Sequence, residues 1–193
     1  MTGNTNGSAF LGFGAILASV AVIGLSSCSS QPVKSPDTIP GKATLRQRML
    51  LDADWLFHRG DVASSNAVTS TSYDDRQWQP VHLPHDYVLD ETGNYSPTND
   101  RSHGYLPIKM AWYRKRFTIP QSDEGKILRL EFEGVFRDSQ VWLNGRFLGG
   151  HPSGYTPFQF DITKTAQCGA ENVIVVRVDP RQSEGWWYEG GGI

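Results

Sequence analysis

The sequence predicts an all-β protein built as an antiparallel β-sandwich, and three observations lead to this prediction. Apolar and polar residues alternate with a period of two in several segments from Trp55 onward, as they do in strands with one buried face. The dipeptide Asn144-Gly145 separates two apolar runs, which is the strongest short-range signal for a β-hairpin. No window of about 11 residues carries a helical stripe of apolar side chains.

Six segments carry the predicted strands. An amphipathic pattern over 112–119 ends at Pro120, a residue that cannot donate to a strand ladder. Over 128–133, apolar residues alternate with arginine and glutamate, as in a half-buried strand. The run 173–178 is almost continuously β-branched, as expected for a buried strand of a sandwich. The predicted strands are 112–119, 128–133, 141–143, 146–148, 158–162 and 173–178.

The amino-terminal residues have the pattern of a bacterial lipoprotein signal. Residues 9–25 are apolar and uncharged, but this run is shorter than the roughly 20 residues that span a bilayer. The small residues Ser26 and Ser27 come directly before Cys28, which a lipoprotein signal peptidase would leave as the acylated first residue. We therefore expect a signal peptide over 1–27 and a lipid-anchored protein of the bacterial cell envelope, on its periplasmic or outer-membrane side.

Composition narrows the domain organisation and the classes of partner expected for the remainder of the chain. Residues 28–44 are rich in serine and proline and predict a flexible tether, so about 150 residues are left for a single domain over 45–193. The net charge is −2, and the 18 lysines and arginines form no cluster, which argues against nucleic-acid binding. If Cys28 is acylated, Cys168 stands alone and no intrachain disulfide is predicted.

Two polar segments rich in aromatic residues point to carbohydrate chemistry. Residues 82–107 form a long predicted loop with three of the five histidines and three tyrosines, and loops of that length are usually functional or disordered. A second aromatic cluster lies at 185–193. Aromatic rings stack on the apolar faces of sugars, while planar polar groups bind the hydroxyls.

Several segments together resemble the amino-terminal sugar-binding domain of family 2 glycoside hydrolases, the relatives of β-galactosidase and β-glucuronidase. The resemblance extends over about residues 45–193, and its segments come in the family's order. The segments that carry it are Trp55-Leu56-Phe57, Leu83-Pro84-His85-Asp86-Tyr87, Gly104-Tyr105-Leu106-Pro107, Trp112-Tyr113-Arg114-Lys115, and the blocks 134–163, 172–179 and 185–193.

The resemblance implies a jelly-roll sandwich of the galactose-binding kind, a β-galactoside-like ligand and no cofactor. In the family an immunoglobulin-like domain and a catalytic barrel follow this domain, and the two catalytic glutamates lie in the barrel. A barrel of that kind takes about 250 residues. We therefore expect this chain to be a fragment that holds neither catalytic residue and needs the downstream domains for hydrolysis.

The resemblance also implies which residues border the sugar. In the family, the loop before the terminal Gly-Ile reaches into the active site, and the loop before the first long strand contributes to the same rim. We expect sugar contacts, and no metal site, at these positions. The candidate rim residues are Asn99, Asp100, His103, Tyr105, Glu184, Trp186, Trp187 and Glu189.

Other conspicuous residues favour structural roles. His82, His85 and Asp86 could suggest metal ligands, but a histidine and an aspartate after proline more often form a turn in which the aspartate binds backbone amides. Arg137-Asp138 is interpreted as an internal ion pair or a turn clamp, and Asp161 as a residue that closes a loop. Tyr155 could be a sugar platform, although a turn that buries it against the sandwich is favoured.

Three hypotheses for function remain open. The first is the accessory sandwich of a β-galactosidase-like enzyme, separated here from its catalytic barrel. The second is a stand-alone, lipid-anchored carbohydrate-binding lipoprotein. The third is a structural surface module that binds no sugar.

Overall fold

A computed structural model describes residues 46–90, 95–99, 104–182 and 189–193. Residues 48–193 belong to one compact unit. Several predictions lie outside the described residues, namely the signal peptide, Cys28 and the rim residues Asp100, His103, Glu184, Trp186 and Trp187. Within the described ranges, no helix has the length and apolar character needed to cross a membrane.

The described chain is almost entirely β-structure in two antiparallel sheets, as the sequence predicts. One sheet has six strands in the order β2-β1-β3-β8-β5-β6, and the other pairs β4 with β7. A short helix, α1 (Ser65–Val68), lies between β1 and β2. The strands are β1 (Trp55–Arg59), β2 (Gln79–Val81), β3 (Ala111–Thr118), β4 (Arg129–Phe132), β5 (Ser139–Leu143), β6 (Arg146–His151), β7 (Phe158–Asp161) and β8 (Glu171–Val178).

The predicted hairpin is confirmed between β5 and β6. Asn144 and Gly145 have positive φ angles of 51° and 81°, which are the backbone angles that a two-residue type I′ turn requires. The Asn144 side chain also accepts a hydrogen bond from the Val173 amide at 2.9 Å. The turn is therefore tied to the neighbouring strand β8 as well as to its own hairpin.

The inner face of the six-stranded sheet packs on β4 and β7 to form the main core. Leu130 and Phe132 are the inward residues of β4, each 6% exposed, and they meet Tyr113 of β3 and Val176 of β8. The outward residues of β4 are exposed. Alternation with a period of two therefore places the core side chains of β4 as the sequence predicts.

The outer face of the same sheet is covered by residues 62–78, a layer that the strand pattern did not reveal. Val68 and Trp78 pack there on Trp112. Arg114, an outer-face residue of β3 that is fully buried, donates to Asp75 at 2.8 Å. Burial alone would raise the pKa of Asp75, but hydrogen bonds from Arg116 and Arg114 outweigh burial and hold that pKa below its usual range.

The segment 189–193 adds a strand-like piece at one end of the sandwich. Gly192 forms isolated bridges with Asp86 on one side and with Phe136 on the other. The His85 amide donates to the Ile193 carbonyl at 2.7 Å, and the Phe136 amide donates to the Gly192 carbonyl at 2.9 Å. A Cβ atom on Gly192 would lie 1.8 Å from the His85 carbonyl oxygen, so only glycine fits this close approach.

Candidate functional site

A cavity of about 360 Å³ opens where 189–193 meets the loops that lead into β5 and out of β6. We call it the rim cavity. Its walls come from three parts of the chain that are far apart in sequence, and the fold brings them together around the start of β5. The lining residues are Phe136, Arg137, Pro152, Ser153, Gly154, Tyr155 and Glu189.

Tyr155 is the exposed aromatic residue of the rim cavity. Its side chain is 69% exposed, so the prediction that a turn buries it is wrong. The Phe136 ring packs closely on the preceding residue, since a Cβ on Gly154 would clash with it. Tyr155 instead meets Phe136 edge to face, with ring centroids 5.3 Å apart, and presents the rest of its ring to solvent.

Glu189 also lines the cavity and is only 2% exposed. Its position depends on the next residue, since a Cβ on Gly190 would lie 2.5 Å from the Asp86 carboxylate. The small glycine lets the chain pass close to Asp86. The structure thus places this predicted rim residue inside the cavity wall rather than on an open surface.

Arg137 and Asp138 form the floor loop of the rim cavity. The guanidinium Nε of Arg137 lies 3.3 Å from the Asp138 carboxylate, which confirms the predicted ion pair. The Asp138 amide donates to the Pro152 carbonyl at 3.3 Å, and the Asp179 amide donates to the Arg137 carbonyl at 2.9 Å. The floor is therefore bound on both sides through its backbone.

Asp179 supports this floor from the end of β8. Its carboxylate accepts hydrogen bonds from Arg181 at 2.6 and 2.7 Å and from Arg177 at 2.8 Å. The hydrogen bond from Arg181 lowers the pKa of Asp179, and this effect exceeds the opposing effect of burial. The carboxylate is therefore ionised at neutral pH and binds two arginines at the end of β8.

Asn99 and Tyr105, the predicted rim residues of segment 82–107 that the structure describes, contact each other. The Asn99 side-chain amide donates to the Tyr105 carbonyl at 2.9 Å, and the Tyr105 ring meets the exposed ring of Tyr95 edge to face at 5.4 Å. Tyr105 has a positive φ of 60°. Neither Asn99 nor Tyr105 lines the rim cavity, so the structure does not bring them together with Glu189 there.

The His85-Asp86 turn has the structural role that its sequence favours. Asp86 accepts from the Val88 amide at 3.0 Å and from the Gly191 amide at 3.1 Å. His82 accepts from the Asp54 amide at 3.1 Å. Across the described ranges, no group of three histidine, cysteine, aspartate or glutamate residues is placed to hold a metal ion. The turn thus anchors 189–193 and so supports the rim cavity.

Asp161 also behaves as its sequence indicates. Its carboxylate accepts from the Thr163 amide at 2.9 Å, and hydrogen bonds from the Thr163 side chain and then from that amide lower the pKa of Asp161. The loop after β7 is closed in this way. Buried phenols support the same scaffold, since Tyr87 donates to the Lys109 carbonyl at 2.6 Å and burial raises the pKa of Tyr87 well above its usual range.

Sequence reasoning missed most of the rim cavity. No sequence pattern indicates a ligand contact at Phe136, Pro152 or Ser153, because each lies in a short loop without a motif of its own. The only local signal was the polar turn around Gly154-Tyr155, which has an aromatic residue that no strand pattern requires. An exposed aromatic ring beside hydroxyl, carboxylate and guanidinium groups suits stacking and hydrogen bonding to a hydroxyl-rich ligand.

Comparison with known proteins agrees with this chemistry. Residues 51–190 match the family described as glycosyl hydrolases family 2, sugar binding domain. The chain is 38% identical over 172 residues to the β-galactosidase BoGH2A of Bacteroides ovatus, a match that covers 88% of this chain and 19% of that protein.

Solved structures give the same result. A glycosyl hydrolase family 2 member from Bacteroides cellulosilyticus superposes with a TM-score of 0.66 at 38% identity and covers 74% of this chain. A β-glycosidase from Bacteroides vulgatus also has a TM-score of 0.66, at 41% identity, and covers 73% of this chain. This chain spans 19% and 18% of the length of those two structures, which is about a fifth.

Proposed function

Since the chain belongs to glycosyl hydrolase family 2 and carries the sugar-binding domain of that family, we propose that it serves a β-galactosidase-like glycosidase. In this proposal the sandwich binds one end of a β-galactoside and positions it for domains that perform the hydrolysis. The similarity to a β-galactosidase of Bacteroides ovatus over 88% of the chain supports the choice of sugar.

One observation carries the proposal, namely the exposed ring of Tyr155 at the mouth of the rim cavity. A tyrosine that is 69% exposed beside a cavity of about 360 Å³ is available to a ligand rather than to the core. A sugar that stacks on this ring could form hydrogen bonds with Ser153 and with the carboxylate of Glu189, both of which line the cavity. Aromatic contact and convergent polar groups are the features of small-ligand sites.

We propose that the predicted rim residues also contact the sugar, as the family resemblance implies. Asn99 and Tyr105 would do so from outside the rim cavity. In particular, the tryptophans would stack on the sugar and the carboxylates would bind its hydroxyls. The residues in this proposal are Asn99, Asp100, His103, Tyr105, Glu184, Trp186, Trp187 and Glu189.

Hydrolysis by a retaining mechanism needs two carboxyl groups about 5 to 5.5 Å apart, which we assign to the catalytic barrel of the parent enzyme. The 193-residue chain is therefore expected to bind a β-galactoside without cleaving it. Incubation of the pure chain with nitrophenyl β-galactoside should release no nitrophenol. Saturable turnover that follows the pure protein through two chromatographic steps would contradict this assignment.

Calorimetry with methyl β-galactoside tests binding directly. We expect a dissociation constant of about 1 mM or weaker, because an open cavity covers only part of a sugar. Tyr155→Ala should weaken binding about tenfold. The control is Phe147→Ala, which removes another exposed aromatic ring, on β6, that does not line the cavity. Equal losses in the two variants would contradict the role of Tyr155.

We further propose that the mature protein is anchored to the bacterial envelope through an acylated Cys28. The apolar run 9–25 and the small residues Ser26 and Ser27 before Cys28 support this proposal. In cells fed radiolabelled palmitate, the protein should take up label and fractionate with membranes. Cys28→Ser should abolish both, whereas Cys168→Ser should change neither. Label that persists in Cys28→Ser would contradict the anchor.

A further inference from the structure

A second cavity, of about 400 Å³, lies beside the edge of the six-stranded sheet. We call it the edge cavity. It shares no lining residue with the rim cavity, and its residues come from β1, from the approach to β2 and from the end of the His85-Asp86 turn. The lining residues are Phe57, His58, Arg59, Gln77, Gln79 and Asp90.

Two glutamines supply the neutral hydrogen-bonding groups of the edge cavity. Gln77 and Gln79 are both exposed, and Gln79 pairs with Phe57 where β2 forms the edge of the sheet. Each carboxamide offers two donors and one acceptor group. Side chains of this kind can bind two neighbouring hydroxyls of one sugar ring, since a hydroxyl both donates and accepts.

The charged groups of the cavity compensate each other. Arg59 Nη2 lies 4.0 Å from the Asp90 carboxylate, and His85 Nε2 lies 3.3 Å from the same carboxylate. Arg59 also donates to the Tyr87 carbonyl at 2.6 Å. Because the guanidinium is already opposed by a carboxylate, the cavity has little excess positive charge for an anionic ligand. A neutral ligand with several hydroxyls therefore suits it better than a uronic acid or a phosphate.

Two ring contacts position lining residues of the edge cavity. The His58 ring stacks on the buried Trp78 with centroids 5.3 Å apart. The Arg59 guanidinium lies over the ring of Tyr87 at 5.3 Å. The volume of about 400 Å³ lies in the range of small-ligand pockets.

We propose that the edge cavity is a second sugar-binding site, which takes one neutral hexose unit of a glycan through Gln77, Gln79 and Asp90. This site is separate from the rim cavity and would hold a part of the glycan that is not being cleaved. The choice of a sugar as ligand rests on the proposed function, but the two sites can be tested separately because they share no lining residue.

The test uses the full chain, kept in solution with a mild detergent and labelled with ¹⁵N. During titration with methyl β-galactoside, the side-chain carboxamide signals of Gln77 and Gln79 should shift and saturate, with a dissociation constant of about 1 to 10 mM. Titration with galacturonate should give binding that is no tighter. Absence of a saturable shift in both carboxamides, or tighter binding of galacturonate, would overturn the proposal.

Three variants assign the effect to its site. Gln79→Ala should weaken binding at the edge cavity about three- to tenfold, the loss expected for one or two hydrogen bonds. Gln159→Ala is the matched control, because Gln159 is an exposed glutamine on β7 that does not line the cavity. Tyr155→Ala should leave the carboxamide shifts unchanged even if it removes binding at the rim cavity. An equal effect of Gln159→Ala, or loss of the shifts in Tyr155→Ala, would overturn the assignment.

Discussion

The two ends of β5 are held in different ways. Its amino end follows the floor loop of the rim cavity, and its carboxyl end leads into the Asn144-Gly145 turn. The side chain of Asn172 is fully buried at the turn end. Its Oδ1 accepts from the Gln167 amide and from the Asn144 side chain, both at 2.8 Å, while its Nδ2 donates to the Gln167 carbonyl at 2.8 Å. Buried polar side chains thus join the turn to the loop before β8.

The cavity end is built from close backbone approaches instead. Gly192 lies between two other segments, and the small residues leave room for the exposed Tyr155 and the buried Glu189. The comparison shows that polar side chains hold the turn end of β5 and contribute to stability there. The other end is held mainly by close backbone approaches, and it leaves the Tyr155 ring exposed to a ligand.

The largest expected effect tests whether backbone approach holds the cavity end. Gly192→Ala would place a Cβ 1.8 Å from the His85 carbonyl oxygen, so both bridges of this segment must separate. We expect the free energy of unfolding in urea to fall by about 4 kcal/mol. The control is Gly125→Ala, where φ is +80° but no atom lies within 4 Å, and the expected loss is about 1 kcal/mol. Equal losses of stability in Gly192→Ala and Gly125→Ala would contradict the claim that close backbone approach holds the cavity end.

The next largest loss of stability is expected at the Asn144-Gly145 end of β5. Asn172→Ala removes a fully buried side chain and leaves the part-buried Gln167 amide and Asn144 side chain without their shared acceptor. The free energy of unfolding should fall by about 2 kcal/mol, because several hydrogen bonds of one network are lost together. Gln159→Ala, an exposed amide on β7, should stay within about 0.5 kcal/mol of the parent chain. A loss as small as that in Asn172→Ala would show that the network contributes little.

A smaller loss of stability is expected when Asp179 can no longer form ion pairs with Arg177 and Arg181. The folded-state pKa of Asp179 is lowered by its hydrogen bond with Arg181. Its contribution to stability is therefore present above the unfolded pKa of about 3.9 and is lost as the pH falls through the lower folded value. Asp179→Asn should reduce stability at pH ~7 by about 1 kcal/mol and flatten its decline between pH ~5 and ~2. Parallel pH profiles for both proteins would contradict this role.

The smallest effect on stability belongs to the proposed ligand residue. Tyr155→Ala should change the free energy of unfolding by less than about 0.5 kcal/mol, because the ring is mostly in solvent. Tyr113→Ala removes a fully buried tyrosine of β3 and should lower the free energy of unfolding by about 3 to 5 kcal/mol. If both variants unfold alike, Tyr155 belongs to the core and the comparison of the two ends fails.

The sequence predicts the scaffold well where the determining contacts are local. The Asn144-Gly145 turn and the alternation of β4 depend on neighbouring residues, and both are confirmed. The layer over the outer sheet face was missed because Arg114 meets Asp75 across 39 residues, a pairing that no periodicity encodes. The exposure of Tyr155 was missed for the same reason, since its ring contact is with Phe136, which belongs to a different loop.

The most direct measurement follows individual tyrosines during a sugar titration. A chain labelled with ¹³C in its tyrosine rings is titrated with methyl β-galactoside, and each signal is assigned by single substitution to phenylalanine. The signals of Tyr155 should shift and saturate, while those of the buried Tyr87 and Tyr113 stay in place. A Tyr155 signal that never moves, or a shift shared by all the buried tyrosines, would contradict the claim that the cavity end of β5 presents Tyr155 to a sugar.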